Sequence, residues 1–255
     1  MLCNIRKYCL LFIGVLLLPL TCMAKEPAPQ ILFDQGHNQQ FLIEGSGELQ
    51  LSKLAGIFRA QGAKVTSTTS PLSDGTLQGS DALVISGPFT GLKASEIDAV
   101  LRFLERGGRV AVMLHIGSPL SALLNRLDVE HSNTVLHERQ NVIDKDLNFH
   151  VQDLATTPLF HGISRFATYG AWALNPGSDS TAIARTSDQS WVDLNGDKLL
   201  SDGDAVGPFA LTVSGTHGAG RFIVFGDDAI FQNRYLDDSN SKLAANLGSW
   251  LANIR

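Results

Sequence analysis

Cysteine is absent from everything past position 22. Cys3, Cys9 and Cys22 are the only three, and all fall in the first 24 residues. The remaining chain has no disulfide to staple it and no thiolate to act as a nucleophile or soft metal ligand. Basic clusters are also missing. Lys and Arg number 20 against 25 Asp and Glu, a net charge of −5. That balance argues against nucleic acid and against anionic membrane surfaces as partners. The one long apolar run, Leu10 to Leu20, is too short for a membrane span. No internal repeat or low-complexity stretch occurs.

The first 24 residues have a reading of their own. Arg6 and Lys7 precede the apolar run, and Thr21-Cys22-Met23-Ala24 follows it. A basic start, an apolar middle and a small residue before Lys25 describe a secretory signal peptide over residues 1–24. The mature chain is then expected to be periplasmic or secreted. Its net charge moves from −5 to −7, since the leader carries Arg6 and Lys7 and no acidic residue. A lipid anchor on Cys22 is the alternative, although Thr21 stands where a small Gly or Ala is expected. Residues 25–255 suffice for one domain with a sizeable core.

Buried strands and amphipathic helices then alternate. Ile31-Leu32-Phe33-Asp34 reads as a strand opening into the polar turn Gln35-Gly36-His37-Asn38. Leu51, Leu54, Ala55 and Phe58 mark a helix closed by Gly62, and Ala63-Lys64-Val65 is a short strand. Asp81 to Gly87 is a strand buried on both faces. Ser95 to Asp98 matches a capping box, Ile97, Val100, Leu101 and Leu104 form a helix face, and Gly107-Gly108 end it. Arg109 to Leu114 is the next strand, and Pro119 starts another helix. The order β-α-β-β-α-β-α predicts a parallel, doubly wound sheet. From about residue 129 to 220 the texture turns β-rich. Arg221 to Gly226 and the helix of Leu243, Leu247, Trp250 and Leu251 restore the α/β pattern. The expected fold is α/β, a three-layer sandwich with a mostly parallel central sheet and a β-rich extension.

The succession Phe33-Asp34…His37, Asp81 to Gly87, Glu105-Arg106-Gly107-Gly108-Arg109-Val110 and Gly220-Arg221-Phe222-Ile223-Val224-Phe225-Gly226-Asp227 resembles the class I glutamine amidotransferase-like superfamily. More narrowly it resembles the branch without amidotransferase activity, which includes accessory domains of gliding-motility and intraflagellar-transport proteins. In catalytic members a cysteine sits in a Gly-x-Cys-x-Gly elbow. The matching turn here is Met113-Leu114-His115-Ile116-Gly117, with His115 in the cysteine's place. Where the catalytic histidine is expected stand Asp227 and Asp228. Without nucleophile or base, glutamine hydrolysis is not expected.

Two groups of residues carry candidate chemistry. Asp34, His37, His115, Asp227 and Asp228 all fall at the predicted carboxyl ends of strands, where open α/β sheets bind ligands. Such a rim can hold a hydrogen-bonded network, a ligand, or a base with its orienting carboxylate. The second group is Asp193 to Asp204. Asp193, Asn195, Asp197, Leu199 (by its carbonyl) and Asp204 occupy positions 1, 3, 5, 7 and 12 of a calcium loop. Lys198 stands at position 6, where glycine is normal, and Asp204 replaces a glutamate. An acidic hairpin tip is the competing reading. Calcium is the one cofactor expected. Trp172 and Trp250 are read as core, and Trp191 as core or binding platform.

The expected function is therefore a non-catalytic exported domain that binds a small molecule or an envelope protein. The alternative is a hydrolase, metal-dependent or not, acting on glycans or small esters through Asp34, His37 and His115.

Overall fold

The computed structural model describes residues 27–253. The leader expected at 1–24, with Cys22, lies outside the described residues. The first half follows the predicted order: β1 (Gln30–Asp34), α1 (Ser52–Ala60), β2 (Lys64–Thr68), β3 (Ala82–Ser86), α2 (Ala94–Glu105), β4 (Arg109–Met113) and α3 (Ser121–Arg126). The β-rich segment holds β5 (Val129–His137), β6 (Asn148–Val151), β7 (Asp153–Leu154), β8 (Phe166–Tyr169), β9 (Trp172–Pro176), β10 (Ser180–Arg185), β11 (Trp191–Val192), β12 (Ala205–Val206) and β13 (Ala210–His217). Then come β14 (Gly220–Phe225) and α4 (Asp238–Leu251). No helix among the described residues is long and apolar enough to cross a membrane.

Twelve strands share one sheet, with the path β12-β11-β5-β9-β13-β14-β4-β3-β1-β2 and with β10 and β7 joined beside β13. Only the pairs β14–β4, β4–β3, β3–β1 and β1–β2 on that path are parallel. The expectation of a mostly parallel sandwich is corrected here to a mixed α/β sheet. The physical reason lies at β14. It runs parallel to β4 but is joined to β13 by the tight turn at Gly218, whose φ of +59° suits glycine. A hairpin forces antiparallel pairing, and β9, β5 and β11 continue outward in that sense. Most of the β-rich segment therefore extends the same sheet, while β6 and β8 pair antiparallel in a two-stranded sheet of their own.

Alternation along the parallel strands sorts their side chains onto two faces. Ile31, Phe33, Val84 and Met113 are buried with Leu54 and Phe58 of α1 and Leu243 and Leu247 of α4. Leu32, Leu83, Ile85 and Val112 are buried with Ile97, Leu101 and Leu104 of α2 and Leu123 of α3. Each fully buried Leu, Ile or Phe contributes about 1.5–3 kcal/mol, and this stabilises a chain whose described residues contain no disulfide.

The capping box expected at Ser95–Asp98 is not formed. The N-cap is Lys93, two residues earlier, and Glu96 Oε2 accepts from the Lys93 N–H at 2.9 Å. Glu96 has a further task at the rim, described below.

Candidate functional site

The carboxyl ends of β1, β3, β4 and β14 form the predicted rim, and it holds two separate clusters rather than one. In the first, Asp34 ends β1 and the chain turns sharply through Gly36, whose N–H donates to Asp34 Oδ1 at 3.1 Å. The turn brings His37 Nδ1 to 2.7 Å from Asp34 Oδ2 and Nε2 to 3.1 Å from Glu96 Oε1. The Gln39 amide also donates to Asp34 Oδ2 at 2.6 Å, and Leu72 N–H donates to Glu96 Oε1 at 3.0 Å. Asp34, His37, Gln39 and Glu96 are all buried. The Asp34 hydrogen bond, set against burial, raises the His37 pKa above its ordinary value. Burial pushes Glu96 up, yet the bonds from Lys93 N–H, His37 and Leu72 N–H together hold it below the usual carboxylate range. Both imidazole nitrogens are spent, so His37 has no free nitrogen for a metal or a proton-transfer step. Asp34 and His37 thus bond to one another and to Glu96, with no hydrogen bond to His115 among the described residues.

The second cluster is open. His115 lies just past β4, and Asp228 just past β14. Asp228 N–H donates to the Leu114 carbonyl at 2.8 Å, which fixes the two loops side by side. His115 Nδ1 is 3.1 Å from Asp228 Oδ1. The Asp228 side chain is 1% exposed, whereas that of His115 is 35% exposed. Burial pushes the Asp228 carboxyl up to about 6, against the opposing pull of His115. The Asp228 hydrogen bond in turn raises the His115 pKa. Asp228 Oδ2 is buried with no partner among the described residues. The His115 ring packs against Phe41 and Phe89, with centroids 4.9 and 5.2 Å away. Trp172 Nε1 donates to the His115 carbonyl at 3.1 Å. No hydrogen bond to His115 Nε2 occurs among the described residues. A histidine oriented by a buried carboxylate, with its other nitrogen unbonded, can accept or donate a proton or a ligand hydrogen bond.

Asp227 does not belong to that pair. It accepts from Thr168 Oγ1 and Tyr169 N–H, both at 2.6 Å, and from Ala229 N–H at 2.8 Å. Burial raises its pKa all the same. Its role is to tie β8 to the end of β14.

The Asp193–Asp204 loop joins β11 to β12. Carboxylate oxygens of Asp193, Asp197 and Asp204 lie within 4.8 Å of one another. Lys198, at the glycine position, adopts φ +64°, the left-handed turn that glycine makes there. Every one of these carboxylates is already engaged within the loop. Asp193 accepts from Gly196 and Lys198 N–H, Asp197 from Leu199 N–H, and Asp204 from Leu194 and Ser201 N–H. Asn195 Oδ1 accepts from Asp197 N–H, which leaves the loop closed on its own hydrogen bonds.

Several polar residues carried no signal in the sequence. Glu96 was hidden inside an ordinary helix start. Glu138, fully buried, accepts from Ser187 Oγ, Ser190 Oγ and the N–H groups of Arg139 and Gln140. These bonds, against the cost of burial, hold its carboxyl below the usual range. His131 Nε2 lies 2.7 Å from Ser121 Oγ, with Nδ1 on the Ser132 carbonyl. Of the tryptophans, Trp191 is buried and stacks on His137 at 4.1 Å, while Trp172 and Trp250, read as core, are half-buried.

Comparisons with known proteins show what the fold is similar to. The "mmIFT52 N-terminal domain" structure aligns with TM-score 0.71 at 18% identity, covering 87% of this chain and 97% of that one. A ThuA-like protein from Bacteroides uniformis aligns with TM-score 0.51 at 14% identity, covering 89% and 94%. Cytoplasmic Protein STM1381 from Salmonella typhimurium aligns with TM-score 0.55 at 14% identity, covering 88% and 99%. At these identities the likeness is one of fold. No curated protein matches the chain. The resemblance to the class I glutamine amidotransferase-like superfamily is corrected by the family match, which covers residues 46–247 and is described as "Domain of unknown function (DUF4350)". With most of its length under that one family, the chain belongs to DUF4350.

Proposed function

We propose that the chain is an exported, non-catalytic domain that binds a small molecule or an envelope protein at the rim around His115. One observation carries this reading: Asp228 anchors His115 by Nδ1 and leaves Nε2 unbonded between Phe41 and the exposed Phe89. The aromatic rings offer apolar area and the imidazole a directed hydrogen bond, a combination common in binding surfaces. The leader supports export. No hydroxyl or thiol hydrogen-bonds to His115 among the described residues, so no side-chain nucleophile is paired with it there.

The test is photocrosslinking of the full chain in its own cells, with a benzophenone side chain in place of Phe89. A single defined adduct, lost with His115→Ala, is the expected result. No adduct with either chain removes this reading.

The alternative is a hydrolase acting on glycans or small esters, and the base-and-orienter geometry of His115 and Asp228 favours it. Chromogenic glycoside and ester panels separate the two. Turnover that vanishes with both His115→Ala and Asp228→Asn puts the hydrolase first. The absence of His115-dependent turnover supports the binding domain.

A further inference from the structure

The amino ends of β4 and β14 hold a different feature. Arg109 begins β4 and Arg221 lies at the start of β14, and the two are register partners on adjacent parallel strands. Like charges side by side on a sheet repel and destabilise it unless something offsets them. Among the described residues neither arginine forms an ion pair with a carboxylate. Arg109 is half-buried. It donates to the Trp250 carbonyl and to Asn253 Oδ1, and its guanidinium lies 5.2 Å from the Trp250 ring centroid. Burial, and then the Arg221 charge, lower its pKa, and no carboxylate counteracts them.

Both arginines line one cavity of about 770 Å³, together with Thr157, His161, Asn246 and Trp250. No acidic side chain lines it. Thr157 Oγ1 is buried there without a hydrogen-bond partner among the described residues. Asn246 spends its amide nitrogen on the carbonyls of Leu159 and His161, which fixes the wall beside His161. A cavity of drug-like volume, two adjacent guanidiniums, an orphaned hydroxyl and an aromatic wall share one requirement, an anion with several acceptor oxygens.

We propose that the cavity between β4, β14 and α4 is a phosphate-binding site, with Arg109 and Arg221 as its paired cations and Thr157 as a hydroxyl donor. It takes a phosphomonoester or a phosphodiester head group whose organic part lies against Trp250. The site is at the opposite end of these strands from His115 and does not depend on the rim reading.

Arg221 is the residue to test, because it is exposed and no side-chain hydrogen bond of its own is found among the described residues. Removing it therefore spares the fold. The purified full chain is titrated with inorganic phosphate and with glycerol 3-phosphate at constant ionic strength, following the melting temperature and heat of binding. Sedimentation with phosphatidylglycerol vesicles, against phosphatidylcholine vesicles, provides the lipid arm. Saturable binding by wild type is expected, weakened about tenfold or more in Arg221→Gln through loss of a charge-assisted contact. Thr157→Val is expected to weaken it less, while His115→Ala leaves it unchanged. Binding of the soluble ester assigns a small phosphorylated ligand, and binding of phosphatidylglycerol vesicles alone assigns a lipid head group. No saturable binding in any arm, or equal binding by Arg221→Gln, overturns the proposal.

Discussion

His37 Nε2 and Glu96 Oε1 are 3.1 Å apart across 59 residues of sequence, and this contact clamps the turn after β1 to the first turn of α2. With Asp34 on its other nitrogen, the imidazole carries a carboxylate at each end. Removing it leaves two buried carboxylates short of a partner. His37→Ala is expected to cost about 3 kcal/mol or more, the usual result of breaking a buried charged pair. For a chain of this size that lowers the melting temperature by roughly 6–12 °C. Thermal melts of the full chain at neutral pH check it. A loss within a degree or two would show that the cluster does not hold the fold together.

The same cluster sets a pH window. The folded His37 pKa is raised, so its contribution is complete below the unfolded value of 6.5 and is lost as pH rises through the folded value. The Glu96 pKa is lowered, so its contribution is present above the unfolded value of 4.5 and is lost as pH falls through the folded value. Stability from this cluster therefore peaks on the mildly acidic side of neutral. Denaturant midpoints measured across pH should fall on the alkaline side of that peak, and His37→Ala should flatten this limb.

The open pair at the rim predicts a spectroscopic result. Asp228 is the first cause of the raised His115 pKa, and burial opposes it. Replacing the carboxylate by an amide removes the supporting charge and leaves the burial in place. In Asp228→Asn the His115 pKa should therefore fall. Titration of the imidazole carbon-bound proton by NMR, with assignment through His115→Ala, reads it directly. A pKa that does not fall in Asp228→Asn would show that Asp228 does not orient His115.

Part of this arrangement was legible in the sequence. Abrupt ends of apolar runs at Phe33, Leu114 and Phe225 placed Asp34, His115 and Asp228 at strand ends, because buried strands break where polar residues begin. Which of them meet was not legible, since pairing depends on strand order: β14 enters the sheet beside β4, so Asp228 meets His115. Asp34 instead turns onto His37 within its own loop. Glu96 was invisible because a glutamate at a helix start ordinarily faces solvent. The antiparallel half was visible as texture, but its pairings were not, since β5 meets β9 through a shift in register between His131 and Val135.

The acidic loop yields a metal-removal test. Asp193, Asp197 and Asp204 accept backbone N–H groups, and these bonds hold the loop's shape. EDTA is therefore expected to leave the melting temperature unchanged. Calcium is the ion to add back, given the donor spacing from Asp193 to Asp204. A rise with calcium that Asp197→Asn removes would instead establish a metal loop. Lys198→Gly, by relieving a left-handed non-glycine residue, is expected to stabilise by up to about 1 kcal/mol.

Gly87 connects the end of β3 to the His115–Asp228 pair. Its φ is +54°, and a Cβ placed there would overlap Asp228 Oδ2 and sit 3.2 Å from His115 Cβ. Its N–H donates to the Met113 carbonyl at 2.9 Å, so the backbone cannot retreat without breaking the β3–β4 register. Gly87→Ala therefore combines a disfavoured backbone angle with an overlap against a buried carboxylate. A cost of about 2–3 kcal/mol is expected from the two effects together. The side chain most able to move is Asp228, and moving it lengthens the bond to His115. The variant should then melt lower and also show a reduced His115 pKa, a link between packing and titration that a simple loss of stability does not produce. A destabilised Gly87→Ala with an unaltered His115 titration would mean that the strain is relieved elsewhere and that Gly87 serves the turn alone.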